Sequence, residues 1–287
     1  MRETQHYEVA RHCFTVTAKA AHFGLMDNYE PFRLPQPALA ENEYKTSFRL
    51  TIESGERPDF NEELRQEDEG QIIICGRTAE GKPVFEFIWG EETAGWLTCA
   101  TDYSEGQLIT TTCHTKMAID NALMVLFALA TADQHTALFH AAVVSHQGKG
   151  YMFLGKSGTG KSTHARLWLR YIAGVELMND DNPVVRDGIV YGSPWSGKTP
   201  CYRNVSCPLA GIVLLSQAPH NKIWRLEGLE AYAALVPSIS GMRWDKRVAD
   251  GLHQTENTLS MTTPIWHLEC LADEEAASLC FAQVGKT

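Results

Sequence analysis

The sequence predicts a chain of two parts, a mainly β part over residues 1–115 and an α/β part over residues 116–287. In the first part, short apolar or alternating segments are separated by turn residues, which is typical of β-strands. From Lys116 onward the apolar residues recur at helical intervals. Beyond that helix, strand-like and helical segments alternate around a glycine-rich loop, which is typical of an α/β domain.

Composition restricts the class of protein. With 287 residues, of which 44% are hydrophobic, the chain is long enough for one large domain or two moderate domains. A net charge of −10 argues against nucleic acid or an anionic membrane as the main partner. The cysteines form no C-x-x-C pair, so we expect free thiols and neither a zinc site nor a disulfide framework.

The N-terminus lacks the apolar core of a signal peptide. The longest apolar run, residues 123–130, is too short to span a bilayer. We therefore expect a cytoplasmic protein with no membrane partner.

The first part is expected to form a small β-sandwich that supports or recognises a partner. A charged stretch over residues 53–69 is expected to connect two of its strands. A helix over residues 116–133, with Ile119, Leu123 and Phe127 at helical spacing, is expected to bridge the two parts. The predicted strands are residues 9–16, 44–52, 71–76, 83–89, 94–100 and 106–112.

The second part is organised around Gly155-Lys-Ser-Gly-Thr-Gly-Lys-Ser162, which matches the pattern G-x-x-x-x-G-K-S. Residues 150–154 predict a strand before it, and residues 163–172 predict a helix after it. In this context glycine torsions allow backbone N–H groups to face a phosphate, and the helix dipole attracts the anion. The residues predicted to bind a nucleotide or another polyphosphate are Gly155, Lys156, Ser157, Gly158, Thr159, Gly160, Lys161, Ser162 and Thr163.

Two carboxylates follow the next predicted strand, residues 175–178. Asp180 and Asp181 are costly to bury there unless a cation or a proton transfer uses them. An exposed turn rich in Asn and Asp is the alternative. Residues 192–198 form a further glycine-rich segment ending in Lys198, which is either a tight turn or a loop that closes over phosphates.

The remaining elements of the second part are predicted from local patterns. Residues 137–145 predict a strand that forms a hairpin with residues 151–154. The other predictions are a hairpin over 183–191 that turns at Asp187-Gly188, strands over 208–216 and 264–270, and helices over 227–235 and 274–283, the last capped by Asp273.

These residues resemble the catalytic domain of the HPr serine kinase/phosphorylase family, which shares its nucleotide-binding fold with phosphoenolpyruvate carboxykinases. The resemblance runs through Leu138-Phe-His-Ala-Ala-Val-Val, the phosphate loop and Leu177-Met-Asn-Asp-Asp181. It implies the shared nucleotide-binding fold, which is a P-loop fold, and ATP and Mg²⁺ as cofactors. It also implies the activity of a serine kinase-like phosphotransferase. The acceptor it implies is the hydroxyl of a protein, a peptide or a small molecule.

The resemblance also implies a role for individual residues. Lys161 would hold the phosphates, and Ser162 would bind Mg²⁺. Asp180 would join the metal and water network, and Asp181 would take the proton of the acceptor hydroxyl. His140 would lie near the transferred phosphate.

The chain departs from this family in its second metal ligand and its catalytic arginine. Residues 204–208 contain no carboxylate where the family has a metal-binding Glu, and Arg203, Arg243 and Arg247 are candidate arginines by type alone. The N-terminal part does not resemble the family's regulatory domain. Two alternatives therefore stay open, a phosphoenolpyruvate carboxykinase-like enzyme and a non-catalytic nucleotide-sensing regulator. A homo-oligomer is compatible with each.

Overall fold

The structure, a computed structural model, describes residues 1–35, 46–68, 70–197 and 199–285. Three predicted features extend outside these ranges: the strand over 44–52 by its first two residues, the charged stretch over 53–69 by Glu69, and the segment over 192–198 by Lys198. The protein is mixed α/β, and its chain divides into two compact units, Met1–Thr131 and Ala132–Thr287. Within the described ranges no helix combines the length and apolarity needed to cross a membrane.

The N-terminal unit contains a mixed sheet in the order β1-β2-β3-β8-β7-β6-β5-β4. β3 pairs in parallel with both β2 and β8, and the other neighbours are antiparallel. The strands are β1 (Arg2–Val9), β2 (His12–Lys19), β3 (Thr46–Glu53), β4 (Asn61–Asp68), β5 (Gln71–Arg77), β6 (Pro83–Trp89), β7 (Glu92–Cys99) and β8 (Glu105–Thr110). The helices are α1 (Ala20–Phe23), a 3₁₀ helix (Asp27–Phe32) and α2 (Thr115–Thr131).

Helix α2 packs on this sheet, where a second sheet was expected. Phe127 of the helix meets Phe48 edge to face, and Phe48 stacks on Phe14 with ring centroids 4.8 Å apart. One sheet and one helix therefore take the place of the predicted sandwich. The chain divides after α2, whereas the predicted boundary lies before this helix. The helix belongs to the N-terminal unit because its apolar side is buried against this sheet.

Two local predictions in this unit are wrong. Residues 9–16 are not one strand, because Ala10 and Arg11 have φ angles of 50° and 61° and form the turn between β1 and β2. The charged stretch is not only a connection, because β4 lies within it. β4 is an edge strand that pairs with β5 alone among the described strands. The side chains of residues 61–67 are exposed and show no apolar alternation.

The C-terminal unit contains the second mixed sheet, in the order β12-β10-β11-β15-β14-β13-β9-β17, with β18 beside β15 and β16 beside β18. Its strands are β9 (Thr136–Phe139), β10 (Ala141–His146), β11 (Lys149–Leu154), β12 (Val175–Asp181), β13 (Val184–Arg186), β14 (Ile189–Tyr191), β15 (Ser206–Gln217), β16 (Lys222–Leu226), β17 (Ile239–Ser240) and β18 (Ile265–Cys270). Its helices are α3 (Lys161–Tyr171), α4 (Gly228–Leu235), a 3₁₀ helix (Val236–Ser238), α5 (Lys246–Thr262) and α6 (Glu274–Val284).

The predicted strand over residues 137–145 is in fact two strands that separate at His140. β9 pairs with β13 and β17, whereas β10 pairs with β11 and β12. The hairpin of β10 and β11 and the Asp187-Gly188 hairpin of β13 and β14 are confirmed. The Asp273 cap is confirmed as well, because its carboxylate accepts a hydrogen bond from the Ala276 N–H.

Helices α3 and α6 pack against one face of the strands around β11. Trp168 of α3 is fully buried at the centre of this cluster. Its ring lies 5.3 Å from those of Tyr151 and Phe153 and 5.4 Å from that of Phe281. This aromatic group holds α3 in place. It thereby also fixes the end of the loop that precedes α3.

Replacing Trp168 by alanine should destabilise the C-terminal unit by about 3–5 kcal/mol, because the cavity left in a close-packed core is only partly refilled. Denaturant unfolding followed by circular dichroism measures the change. The matched control is Leu169→Ala on the outer side of the same helix, where the side chain is 37% exposed. That substitution should change stability by about 0.5 kcal/mol or less. Equal losses for the two variants would contradict the assignment of this core.

Candidate functional site

The loop between β11 and α3 depends on glycine at three positions. Gly155, Gly158 and Gly160 have φ angles of 152°, 76° and 107°, a region that residues with a Cβ rarely adopt. At Gly155 a Cβ would also lie 3.2 Å from the Leu215 carbonyl oxygen. Inside the loop, the Thr159 N–H donates to the Lys156 carbonyl at 3.1 Å. The loop is thus a tight turn that ends directly at the first residue of a helix.

The start of α3 carries the charges expected at an anion site. Gly160 is the N-cap of α3 and has no side chain that could accept a hydrogen bond from the backbone N–H groups of the first turn. Lys161 is only 8% exposed, and its Nζ donates to the Gly155 carbonyl at 3.0 Å and the Lys156 carbonyl at 3.4 Å. The ammonium group therefore lies folded back against the loop. Ser162 is half-buried, and Thr163 is exposed beside it.

The carboxylates lie at the same edge of the sheet as this loop. β10 runs antiparallel to both β11 and β12, so the carboxyl ends of β11 and β12 point the same way. Ala142 pairs with Phe153 on one side and with Asp180 on the other. Two strand spacings put the Asp180 backbone about 10 Å from the end of β11. The structure thus brings the loop, Asp180 and Asp181 together, as the sequence predicts.

A β-bulge in β12 decides where each carboxylate points. The partner of Val143 is Asn179, but that of Val144 is Leu177, so Met178 is the extra residue. Paired residues of adjacent strands share a face. Asp180 therefore shares the face of Ala142, which belongs to the cluster under α3, and Asp181 shares the opposite face with Ala141. Without the extra residue the two carboxylates would exchange faces.

Asp180 carries a carboxylate that is buried at the end of β12. The residue is 4% exposed, and no described residue donates to its side chain. Its backbone carbonyl is held instead, by the Gly197 N–H at 2.7 Å and the Ser196 hydroxyl at 3.2 Å. A buried carboxylate in this condition is costly unless a cation or a proton compensates it. An oxygen-preferring divalent cation between Asp180 and the start of α3 fits this chemistry.

Asp181 is held in a strained conformation beside His140. Its φ angle is 145°, a region that L-residues other than glycine rarely adopt. One carboxylate oxygen lies 3.1 Å from His140 Nδ1, and the other accepts a hydrogen bond from Asn182 Nδ2 at 2.8 Å. The backbone N–H of His140 donates to the Ser238 carbonyl at 2.6 Å. Both side chains are about one-third exposed, so a substrate can reach the pair.

The segment over residues 192–197 lies along the end of β12. Asn179, fully buried, donates through Nδ2 to the Ser193 hydroxyl at 3.1 Å and to the Trp195 carbonyl at 3.2 Å. Ser196 forms an isolated bridge with Asp181, and a Cβ at Gly197 would lie 3.1 Å from the Asp181 Cβ. The described part of the segment therefore packs beside the carboxylates, and both interpretations of the segment, a tight turn and a loop that closes over phosphates, stay predictions.

Three hydrogen bonds at or near the site were not predicted from the sequence. Arg166 of α3 donates to the Thr199 hydroxyl at 3.1 Å, and Gln217 at the end of β15 donates to the Gly158 carbonyl at 3.3 Å. His164 Nε2 accepts a hydrogen bond from Trp168 Nε1 at 3.2 Å, and burial lowers the pKa of His164 to about 4. For His164 and Trp168 the i, i+4 spacing on a helix was a usable signal.

The candidate arginines are each engaged in an ion pair. Arg203 pairs with Glu176 and donates to the Leu177 carbonyl, and Arg247 pairs with Asp133. Arg243 pairs with Glu256, which is fully buried and also accepts from the Tyr232 hydroxyl at 2.8 Å.

Glycine at position 181 should give a more stable protein than alanine, by about 1 kcal/mol, because both lose the carboxylate contacts but only glycine accepts the φ angle without strain. The free energies of unfolding of Asp181→Gly and Asp181→Ala provide the measurement. The same pair at Asp180, whose φ is not positive, is the control, and there alanine should be the more stable. A preference for alanine at both positions would show that Asp181 carries no strain.

Comparisons with known proteins gave no assignment: neither models of protein families nor curated proteins matched this chain. The candidate site therefore depends on the loop motif and on the geometry described above. Its components are the glycine torsions, the folded-back Lys161, the buried Asp180 and the strained Asp181 beside His140.

Proposed function

We propose that this protein is a Mg²⁺-dependent, ATP-binding phosphotransferase of the HPr serine kinase type, which phosphorylates a hydroxyl group of a protein, peptide or small molecule. The observation that carries the proposal is the common edge of β11 and β12. It gathers a phosphate loop, a buried carboxylate and an accessible carboxylate. Phosphoryl transfer requires little more than a phosphate cradle, a cation and a group that receives the proton of the acceptor.

The loop residues bind and orient the phosphates in this proposal. N–H groups at the start of α3 donate to phosphate oxygens, and the helix dipole favours the negative charge. Lys161 exchanges its contacts with the Gly155 and Lys156 carbonyls for contacts with phosphate oxygens. Because its ammonium is already buried at the loop, little side-chain entropy is lost when the phosphates arrive.

Ser162 and Asp180 are the residues that would hold Mg²⁺. Both belong to segments that contact one another, since α3 packs on β12, and both offer the oxygen ligands that Mg²⁺ prefers. A bound Mg²⁺ supplies positive charge to the phosphate oxygens during transfer. The Asp180 carboxylate, buried and without a hydrogen-bond donor among the described residues, is the group best stabilised by such a cation.

Asp181 receives the proton. The acceptor hydroxyl loses its proton to a carboxylate oxygen of Asp181 while its oxygen bonds to the γ-phosphorus of ATP. The bond from that phosphorus to the bridging oxygen breaks at the same time, and ADP leaves with that oxygen. His140 Nδ1, at 3.1 Å, and Asn182, at 2.8 Å, hold that carboxylate in one orientation. The strained φ angle supports this role, because strained torsions concentrate at functional sites.

A second candidate is a regulator that binds a nucleotide without turnover. The observation in its favour is the lack of a carboxylate over residues 204–208, so that one metal ligand of the resembled family has no counterpart in that stretch. The strain and exposure of Asp181 favour the enzyme, since a sensor has no use for a positioned proton acceptor.

Lys161→Ala should remove the stabilisation that ATP and Mg²⁺ give to the folded protein, because the loop then lacks its cation. At a hundredfold excess over Kd, that stabilisation is about 2.7 kcal/mol for the unaltered protein. Thermal unfolding with and without ATP measures it. The control is Lys149→Ala, an exposed lysine at the other end of β11, which should keep the full effect. Equal stabilisation of the two variants would refute phosphate binding by this loop.

Asp181→Asn should keep nucleotide-induced stabilisation and lose turnover, because the amide fills the same space but cannot accept the proton. The measurement is incubation with γ-labelled ATP, Mg²⁺ and a lysate of the source organism, followed by tracing the label. Asp187→Asn, at the exposed β13–β14 turn, is the control and should transfer label normally. Label transfer by Asp181→Asn at the normal rate would exclude Asp181 as the base. No transfer by the unaltered protein, despite ATP binding, would favour the regulator.

A further inference from the structure

The connection between α4 and α5, residues 236–245, holds the backbone of His140 from one side. It contains the 3₁₀ helix Val236–Ser238 and β17, and β17 pairs antiparallel with the end of β9. The Ser238 carbonyl accepts the hydrogen bond from the backbone N–H of His140. β17 is two residues long and, in the described part of the chain, pairs with β9 alone. A pairing this short contributes few hydrogen bonds, so the position of the connection depends on its other contacts.

A single guanidinium group joins both ends of this connection to α5. Arg243 forms an ion pair with Glu256 of α5, and its Nη1 donates to Glu256 Oε2 at 3.4 Å. Its Nη2 also donates to the Val236 carbonyl at 3.2 Å. The Tyr232 hydroxyl of α4 donates to the same carboxylate at 2.8 Å. The Glu256 carboxylate therefore links α4 and α5 to the connection.

The connection also lies directly on α5. A Cβ added at Gly241 would collide with the Leu252 side chain, so the backbone approaches the helix closely there. Farther along, the Asp245 carboxylate accepts hydrogen bonds from the N–H groups of Arg247 and Val248 in the first turn of α5. The connection therefore cannot shift without breaking contacts with this helix.

The ion pair contributes orientation to this arrangement. The side chain of Glu256 is fully buried, whereas that of Arg243 is 37% exposed. An apolar pair of similar volume often stabilises a fold at least as well, because charges lose their hydration on burial. A guanidinium and a carboxylate, however, fit together in few relative orientations. The pair therefore fixes where the connection lies more than it adds to stability.

We propose that the Arg243–Glu256 ion pair positions His140 for its contact with Asp181. The connection holds the His140 backbone through Ser238, and the His140 ring lies 3.1 Å from the Asp181 carboxylate. His140 lies where β9 and β10 separate, so no single continuous strand fixes its backbone. Both residues of the pair act through His140 and are positioning residues. The inference rests on the proposed function of Asp181 and adds the two residues that set its geometry.

Hydrogen exchange of the His140 amide, followed by NMR, tests this positioning without an acceptor. In Arg243→Met the Glu256 carboxylate loses its cation and the connection loosens. The His140 amide should then accelerate at least about tenfold more than the amide of Phe153, which lies in the central strand β11 and reports global opening. Lys246→Met is the matched control, because it removes an exposed ion pair with Asp250 from the same helix and should change neither amide. Equal acceleration of the two amides in Arg243→Met, or none at His140, would refute the inference.

Label transfer from γ-labelled ATP, with Mg²⁺ and a lysate of the source organism, separates orientation from stability. The rate should fall about 10- to 100-fold in Arg243→Met, while stabilisation by ATP persists. Arg243→Lys should recover part of the rate, since its ammonium can pair with Glu256. The double variant R243M/E256L removes the uncompensated buried charge and should recover stability without recovering the rate. Recovery of rate together with stability would show that the pair serves stability alone, which would overturn the inference.

The positioning role and the proposed function fail in different ways. Normal label transfer by Arg243→Met, with normal exchange at His140, would refute the positioning role and leave the proposed function intact. Neither stabilisation by ATP nor label transfer in the unaltered protein would refute the proposed function. The exchange measurement would then decide by itself whether the ion pair holds His140 in place.

Discussion

The position of β10 between β11 and β12 is the constraint on which the candidate site depends. A short hairpin makes β10 antiparallel to β11, and its pairing with β12 then makes β12 parallel to β11. The glycine-rich loop after β11 and the two carboxylates at the end of β12 thereby lie at one edge of the sheet. The backbone ladder alone achieves this, since Ala142 pairs with Phe153 on one side and Asp180 on the other.

At this edge the protein concentrates groups that are unfavourable by themselves. Asp180 is a buried carboxylate to which no described residue donates a hydrogen bond, and Asp181 has a φ angle of 145°. The surrounding structure holds the segments that carry both residues in place. The Trp168 cluster fixes α3, and Asn179 and Ser193 fix the wall beside β12. A rigid frame around strained and charged residues is what preorganised chemistry requires.

Some elements were predictable because their signals are local. The glycines predict the turn between β11 and α3, and the apolar spacing predicts α2. Asp273 predicts the N-terminal cap of α6. Other elements lack such signals. β4 is charged because it is an edge strand, and the break at His140 is invisible because apolar residues occupy both β9 and β10. At the end of β15, Gln217 donates a hydrogen bond to the loop, and no local pattern in the sequence indicates this contact.

The sequence by itself determined the glycine-rich loop, the helix that follows it and the acidic residues at a strand end, because torsion, helix propensity and charge are properties of neighbouring residues. Only the tertiary structure decided how these parts combine. The strand order put the carboxylates of β12 two strands from β11, on the side of β10. The bulge at Met178 sent Asp180 toward α3 and Asp181 to the opposite face. Pairing between distant strands set both outcomes, and no local pattern of residues specifies which strands become neighbours.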